Sequence, residues 1–294
     1  MISRLQDGRS VVAKAHRKAQ AQVREAIRLL EASTFPASDE LVHTVRKRIK
    51  KARALVPILR ESLGKKRTLK VDHSLRDAAR PLSESRDAAA LLKILDELEE
   101  RFLGFVPSEA FASARANLLE SAAEISRKVL DEDSSFETTT KLLRSADRRL
   151  DRWEIDDNQA RPLTAIERSY RRTRNADKIA RKDPSSENLH TLRKRAKALR
   201  TQLGLLGDGP ANPTGRLRLR LGLLARELGE RHDLDNLRAV LEKSQAAEPI
   251  LKVIDWRRID LQRGSLQRSA VIFRIRPRAF GKSLRRKSRP INDD

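Results

Sequence analysis

The stretch LVHTVRKRIK at residues 41–50 decides the fold, because it returns as NLHTLRKRAK at residues 188–197. The two copies lie 147 residues apart, which is half of the 294-residue chain. Similarity at a fixed offset indicates a structure built from repeated units. A second match follows in the same order at an offset of 146. It pairs Arg80, Leu82, Arg86 and Asp87 with Arg226, Leu228, His232 and Asp233. Two matches in one order predict a duplicated helical unit whose halves pack about an approximate twofold axis.

Nearly all of the chain has the pattern of amphipathic helices, with apolar residues at spacings of three and four. No stretch alternates at a period of two, so the predicted fold class is all-α. Caps and breakers predict helices at 9–33, 39–63, 68–103, 108–131, 136–155, 163–182, 186–206, 214–244 and 247–265. The predicted domains are a first repeat at 1–157, a second repeat at 158–265 and a basic C-terminal extension at 266–294. The extension is either a solvated or disordered tail or an extra anion-binding arm.

The charge of the chain indicates a polyanionic partner. Lys and Arg number 64 against 41 Asp and Glu, which gives a net charge of +23. A compact body with this imbalance repels itself, and nucleic acid, polyphosphate or an anionic membrane would relieve the repulsion. The absence of Cys excludes disulfides and thiolate metal sites. No apolar run approaches the roughly 20 residues of a membrane span, and Met1–Gln22 has no secretory apolar region, so a cytoplasmic protein is expected.

The repeated segment carries two stripes along its helix. At about 100° per residue, Val42, Val45 and Ile49 fall on an apolar stripe and the cations fall beside it. The second copy has the same pattern. We call the two cationic sets the basic stripes: His43, Arg46, Lys47, Lys50 and Arg53 in the first copy, and His190, Arg193, Lys194, Lys197 and Arg200 in the second. Such stripes suit a linear polyanion, because each phosphate meets a new cation. The alternative is an ordinary solvated face.

His43 and His190 stand at the same place in the two copies. Each is either a structural histidine near a helix start or a donor to phosphate that gains charge as the pH falls. Neither has His or carboxylate partners at metal-ligand spacing, and neither has a nucleophile at recognisable spacing. No metal, cofactor or catalytic residue is therefore expected.

Residues 43–53 and 190–197 resemble the signature of the CHAD family, the conserved histidine α-helical domain. Residues 166–174 resemble the Tyr-Arg-rich helix of that family, and the resemblance runs over about residues 9–245. It implies two antiparallel four-helix bundles related by pseudo-twofold symmetry. It also implies a basic surface and central channel that bind inorganic polyphosphate, and association with polyphosphate granules. Outside the basic stripes, the candidate polyphosphate-binding residues are Arg17, Lys18, Tyr170, Arg171, Arg174, Arg80, Arg86, Arg226 and His232.

The sequence therefore predicts a non-catalytic protein that binds inorganic polyphosphate. The alternative is a double-stranded DNA or RNA binding protein, with nucleic acid held non-specifically by the same charge. Against it stand the lack of a recognition-helix module and an aromatic content of 3%. A third class, a phosphatase acting on polyphosphate, lacks a metal-binding carboxylate cluster or a nucleophile motif in the sequence.

Overall fold

The structure, a computed structural model, describes residues 11–33, 38–83, 87–130, 133–154, 162–207, 213–242 and 248–287. These residues form α-helices and one 3-10 turn, and the described ranges contain no β-strand, so the all-α prediction is confirmed. The elements are α1 (Val11–Glu31), α2 (Asp39–Ala78), the 3-10 turn (Pro81–Ser83), α3 (Asp87–Arg101), α4 (Ser108–Leu130), α5 (Asp133–Asp151), α6 (Pro162–Lys182), α7 (Ser186–Leu203), α8 (Pro213–Leu241), α9 (Glu248–Ile272) and α10 (Pro277–Lys287).

Helix α2 folds back on itself at Gly64. In a straight helix Arg53 and Asp72 would lie about 28 Å apart. Here Arg53 Nε lies 2.9 Å from Asp72 Oδ1, so the arms 39–63 and 65–78 run side by side. The backbone at Gly64 has φ 76° and ψ 165°, which places the reversal at this residue. The first arm matches the predicted helix 39–63.

The prediction of one helix over 68–103 is wrong. The second arm of α2 ends at Ala78, and α3 begins only at Asp87. Pro81 stands between them at the start of the 3-10 turn. Proline has no N–H to donate and disfavours helical backbone in the residue before it, so the helix ends there.

Two apolar clusters form the core, and both draw on the two repeats. The larger cluster joins α1, both arms of α2 and α5 to α6, α7, the first part of α8 and α10. The smaller cluster joins α3 and α4 of the first repeat to the end of α8 and to α9, with Leu95 and Phe111 buried beside Leu237 and Ile254. Packing across the repeats therefore ties the halves together.

The first helix of each repeat makes a side-chain hydrogen bond to a backbone carbonyl later in the chain, within the repeat for α1 and in the C-terminal extension for α6. His16 Nε2 in α1 lies 2.8 Å from the carbonyl oxygen of Leu150 in α5. The hydroxyl of Tyr170 in α6 donates to the carbonyl oxygen of Ile275 at 2.9 Å, just after α9. Tyr170 also stacks on Phe280 of α10, with ring centroids 4.1 Å apart. The buried ring thereby holds the C-terminal segment against α6.

The described part of the C-terminal segment is folded. Helix α9 continues to Ile272, beyond its predicted end at 265, because Ser265 and Ser269 are buried. The Ser269 hydroxyl donates to Asp177 Oδ1 of α6 at 2.5 Å, so a polar sequence here makes an internal contact. The interpretation of residues 264–287 as a solvated or disordered tail is therefore wrong. Residues 288–294 lie outside the described residues.

We expect Gly64→Ala to lower the free energy of unfolding by about 1–3 kcal/mol, because this region of φ and ψ is essentially restricted to glycine. Gly264→Ala is the matched control. Gly264 lies inside α9, and an added Cβ would meet no atom within 4 Å. Its substitution should raise the free energy of unfolding by about 0.5–1 kcal/mol. Urea unfolding of both variants measures the difference, and equal midpoints would contradict this account of the fold-back.

Candidate anion-binding surface

The two helices that carry the basic stripes begin in the same way. Ser38 caps α2 by accepting a hydrogen bond from the Leu41 N–H at 3.2 Å. Ser185 caps α7 by accepting from the Asn188 N–H at 3.4 Å. Each cap satisfies a backbone donor that has no partner within the helix. His43 and His190 each follow their cap by five residues, so the two copies share one register.

On each helix the apolar stripe is buried, whereas the basic stripe reaches the surface. Val45 and Ile49 in α2 have no solvent exposure, and neither have Leu192 and Ala196 in α7. The residues of the basic stripes lie at the surface or partly buried at its edge. The exposed members are Lys47, Lys50, Lys194, Lys197 and Arg200, and the partly buried members are His43, Arg46, Arg53, His190 and Arg193.

The stripes of α2 and α7 come together in the fold. The Gln202 side chain in α7 donates to the Ala54 carbonyl in α2 at 2.8 Å. The pKa of Lys51 is lowered by burial and then by the nearby charges of Arg48, Lys47 and, from α7, Arg200. Cations from both repeats therefore share one surface.

The surroundings of His190 also show that cations of α2 and α7 lie close together. Burial is the main cause that lowers its pKa to about 4, and the charges of His232, Lys194, Arg193 and Lys50 add to the effect. Its ring lies against that of His232, with centroids 4.4 Å apart. Its Nδ1 is buried and has no hydrogen-bond partner among the described residues. The imidazole is therefore neutral near pH 7 in the unliganded protein.

Two glycines of α8 leave space for two arginine side chains of α7. A Cβ at Gly229 would lie 3.2 Å from Arg193 Nη2, and a Cβ at Gly222 would lie 3.2 Å from Arg200 Nε. Without side chains at these glycines, both guanidinium groups lie against the α8 backbone. Sequence reasoning missed this feature, although the two glycines are seven residues apart, as are the two arginines.

Many of the ion-paired carboxylates among the described residues lie in contacts between other helices. The α1–α5, α3–α4 and α8–α9 contacts each carry ion pairs. They include Arg24–Asp147, Arg144–Glu31, Arg115–Glu99, Arg238–Asp255, Arg258–Asp235, Arg257–Glu230 and Arg268–Glu227. By contrast, Lys47, Lys51, Lys194 and Arg200 form no ion pair with any described residue. Unneutralised positive charge is thus concentrated where α2 and α7 meet.

The remaining predicted residues of the first repeat differ in placement. Arg53 is engaged by Asp72 within α2. Lys18 of α1 reaches the surface beside α7, where its Nζ lies 3.5 Å from the Gly204 carbonyl oxygen. Arg17 and Arg80 are exposed on α1 and just after α2. Arg86 lies outside the described residues.

The predicted residues of the second repeat do not all join the basic stripes. Tyr170 is 1% exposed, and burial raises its pKa to about 12, so the structure gives it a packing role. Arg171 and Arg174 line a pocket between α6 and α10. His232 lies against His190, and Arg226 is exposed on α8.

Four arginines near the predicted residue Arg171 were missed by sequence reasoning. Burial lowers the pKa of Arg172, and the charges of Arg195, Arg168, Arg60 and Arg171 lower it further. These side chains come from α2, α6 and α7. No single helix shows the pattern, so only the packing of the three helices reveals it.

Two further facts concern the described ranges alone. No three His, Asp or Glu side chains in them are grouped as a metal site requires. None of their helices is both long and apolar enough to cross a membrane.

Comparisons with known proteins concern the family and the fold of the chain. Residues 11–242 match the model of the CHAD domain family. The chain belongs to the CHAD family. The fold of this CHAD protein is similar to that of PptA from Streptomyces chartreusis, with a TM-score of 0.62. The two are 15% identical, and the match covers 90% of this chain and 97% of that chain. Similarity to a structure at this low sequence identity shows a similar fold and nothing more. No curated protein sequence matches the chain.

The lowered pKa of His190 predicts a pH dependence of stability. Its ordinary value is 6.5, so as the pH falls below 6.5 the unfolded chain binds a proton that the folded protein resists down to about pH 4. The free energy of unfolding should therefore decrease by about 1–3 kcal/mol between these pH values from this residue alone. His190→Gln should flatten that decrease in urea unfolding at pH 7, 5.5 and 4.5. His73→Gln, at an exposed position of α2, is the control, and equal pH profiles for the two variants would contradict the account.

Proposed function

We propose that this CHAD protein binds inorganic polyphosphate along the basic stripes of α2 and α7 and does not hydrolyse it. The observation that carries the proposal is the meeting of cations from both repeats on one surface, where four of them form no ion pair with a described residue. Lys47 and Lys51 lie on one helix, and Lys194 and Arg200 lie on the other. Successive turns of a helix are about 5.4 Å apart, so each turn presents a further cation to an extended polyanion.

Binding of this kind is driven by the release of counterions from the ligand, so the affinity falls as salt is added. Lysine acts as a point charge, while arginine offers a planar fork for two phosphate oxygens. Arg193 and Arg200 lie against Gly229 and Gly222 before any ligand arrives. Side chains that are already placed lose less conformational freedom on binding, which favours affinity.

His190 would add a proton-linked contribution. Its neutral ring lies beside the cations of both stripes. A bound polyphosphate would place negative charge there and raise the pKa of the ring. Binding would then take up a proton and strengthen as the pH falls from 7 toward 5.

The distribution of aromatic side chains favours a ligand without bases over DNA or RNA. Single-strand nucleic-acid sites stack bases on aromatic rings, and no member of the basic stripes is Phe, Tyr or Trp. The exposed rings Phe105 and Trp256 belong instead to the α3–α4 turn and to α9, beside the smaller core cluster. Duplex nucleic acid, held through its phosphates alone, is the remaining alternative.

The same proposal includes the arrangement of the helices and the location of the protein in the cell. We infer that the repeats form two four-helix bundles related by an approximate twofold axis, with the stripes lining a central channel. The hydrogen bonds that His16 and Tyr170, in the first helix of each repeat, make to backbone carbonyls support this relation. A polyphosphate ligand would bring the protein to polyphosphate granules in the cytoplasm.

The ligand class is tested by competition. Long polyphosphate should displace fluorescent duplex DNA at about 0.15 M salt, where screening acts over about 8 Å, because its charges lie on a single flexible chain that can follow both stripes. The two ligands are compared at equal total charge, in both directions of competition. Binding of polyphosphate that is equal to or weaker than that of DNA or RNA contradicts the proposal.

The absence of hydrolysis is tested separately. Incubation of the protein with polyphosphate and Mg²⁺ or Mn²⁺ should release no phosphate above the background, because the stripes offer cations and imidazole but no activated nucleophile. Protein-free polyphosphate is the control. Phosphate release that survives repurification and is abolished by substitution of one carboxylate would show that the protein is an enzyme.

A further inference from the structure

A pocket of about 700 Å³ opens between α6 and the start of α10. Its walls contain seven cationic side chains and one carboxylate, that of Glu167. The cations are Arg168, Arg171, Arg174 and Lys178 from α6, and Arg276, Arg278 and Arg285 from the C-terminal segment. Such a concentration of positive charge in a concave site attracts anions strongly, because the walls limit screening by solvent.

Contacts between α6 and the C-terminal segment hold the walls of this pocket in place. Tyr170 of α6 stacks on Phe280 and donates its hydroxyl to the Ile275 carbonyl. Arg174 Nε donates to the Phe273 carbonyl at 2.9 Å, and this fixes a guanidinium of the pocket. The pocket is therefore part of the folded protein.

The pocket faces a different surface from the basic stripes. It shares Arg171 with a neighbouring groove of about 410 Å³, which Thr191 and Arg195 of α7 also line. At 100° per residue, Thr191 and Arg195 lie on one flank of the buried stripe of α7, whereas Arg193 and Arg200 lie on the other. The structure thus presents two cationic surfaces on opposite flanks of one helix.

Four of the ten residues that line the pocket lie outside the region that matches the family. The match ends at residue 242, and Arg276, Arg278 and Arg285 come later. The C-terminal segment therefore adds to the CHAD region a wall that completes the pocket.

The walls indicate the chemistry of the ligand. No aromatic side chain lines the pocket, and the nearby ring of Tyr170 is buried, so the site offers no surface for a nucleotide base. Pro277, the first residue of α10, also lines it, so the positive end of that helix dipole lies at the pocket. Arg285 is paired with Glu167 at 3.2 Å, and the other six cations still exceed what one phosphate ion can engage. We propose that this pocket is a second anion site that binds a compact condensed phosphate, such as pyrophosphate or tripolyphosphate. This proposal does not depend on the proposed function of the basic stripes.

Calorimetric titration with inorganic tripolyphosphate at about 0.15 M salt tests the site in the full chain. The pocket variant is Arg276→Gln/Arg278→Gln, because both side chains are exposed and form no ion pair with a described residue. The matched control is Arg148→Gln/Arg152→Gln, which removes the same charge from exposed positions in the last turn of α5 and just after it. The stripe variant replaces Lys47, Lys50, Lys194 and Lys197 with Ala. Thermal unfolding checks that α10 stays docked in the pocket variant.

The pocket variant should bind tripolyphosphate about tenfold more weakly than the wild type, while the control stays within about twofold. The stripe variant should keep one tripolyphosphate site of wild-type affinity. ATP should bind no more tightly than tripolyphosphate, because the pocket has nothing to recognise adenine.

A pocket variant that binds like the control, or a wild type that does not bind tripolyphosphate, overturns the proposal. ATP binding tenfold tighter than tripolyphosphate binding overturns the assignment to an inorganic ligand. Long polyphosphate is titrated in parallel into the wild type and the stripe variant. If the stripe variant binds it as the wild type does, the proposed function fails while the pocket stands, so the two failures are distinguishable.

Discussion

The placement of the carboxylates is the constraint on which the rest of the structure depends. A chain with a net charge of +23 must limit its own repulsion to fold compactly. It does so by setting Asp and Glu against Arg where α1 meets α5, α3 meets α4 and α8 meets α9. Those contacts are neutralised, while cations without an ion pair to a described residue gather where α2 meets α7 and where α6 meets α10. Packing thereby turns a uniform excess of cations into two defined surfaces.

The two repeats use this charge unequally. In the first repeat, Arg53 is engaged by Asp72 of the second arm of α2, so part of that basic stripe is already neutralised. In the second repeat, Arg193 and Arg200 rest on glycines of α8, and His190 lies against His232. The stripe of α7 therefore holds two arginines against the α8 backbone beside a partly buried imidazole, and each stripe presents two exposed lysines.

The features that were predicted correctly depend on the spacing of residues within single helices. The repeat and the spacing of apolar residues were enough for the helical class, for the start of α7 and for the division of the stripes into buried and exposed residues. The wrong predictions concern features that depend on contacts between residues far apart in the chain. Ser265 and Ser269 have a polar pattern, yet they are buried against α6 and extend α9. The fold-back at Gly64 and the pocket of α6 and α10 depend on residues far apart in the chain, and no single helix encodes them.

The salt dependence of polyphosphate affinity tests the central claim most directly. Affinity for long polyphosphate is measured at several salt concentrations for the wild type, the stripe variant and a control in which Lys66, Lys70, Lys93 and Lys252, all exposed, are replaced with Ala. Both variants lose the same net charge. Loss of four contacts should reduce the slope of log affinity against log salt by roughly two to three in the stripe variant, because fewer counterions are released, and the control should keep the wild-type slope. Equal losses of slope and affinity in the two variants would show that net charge, and not its placement on α2 and α7, governs binding.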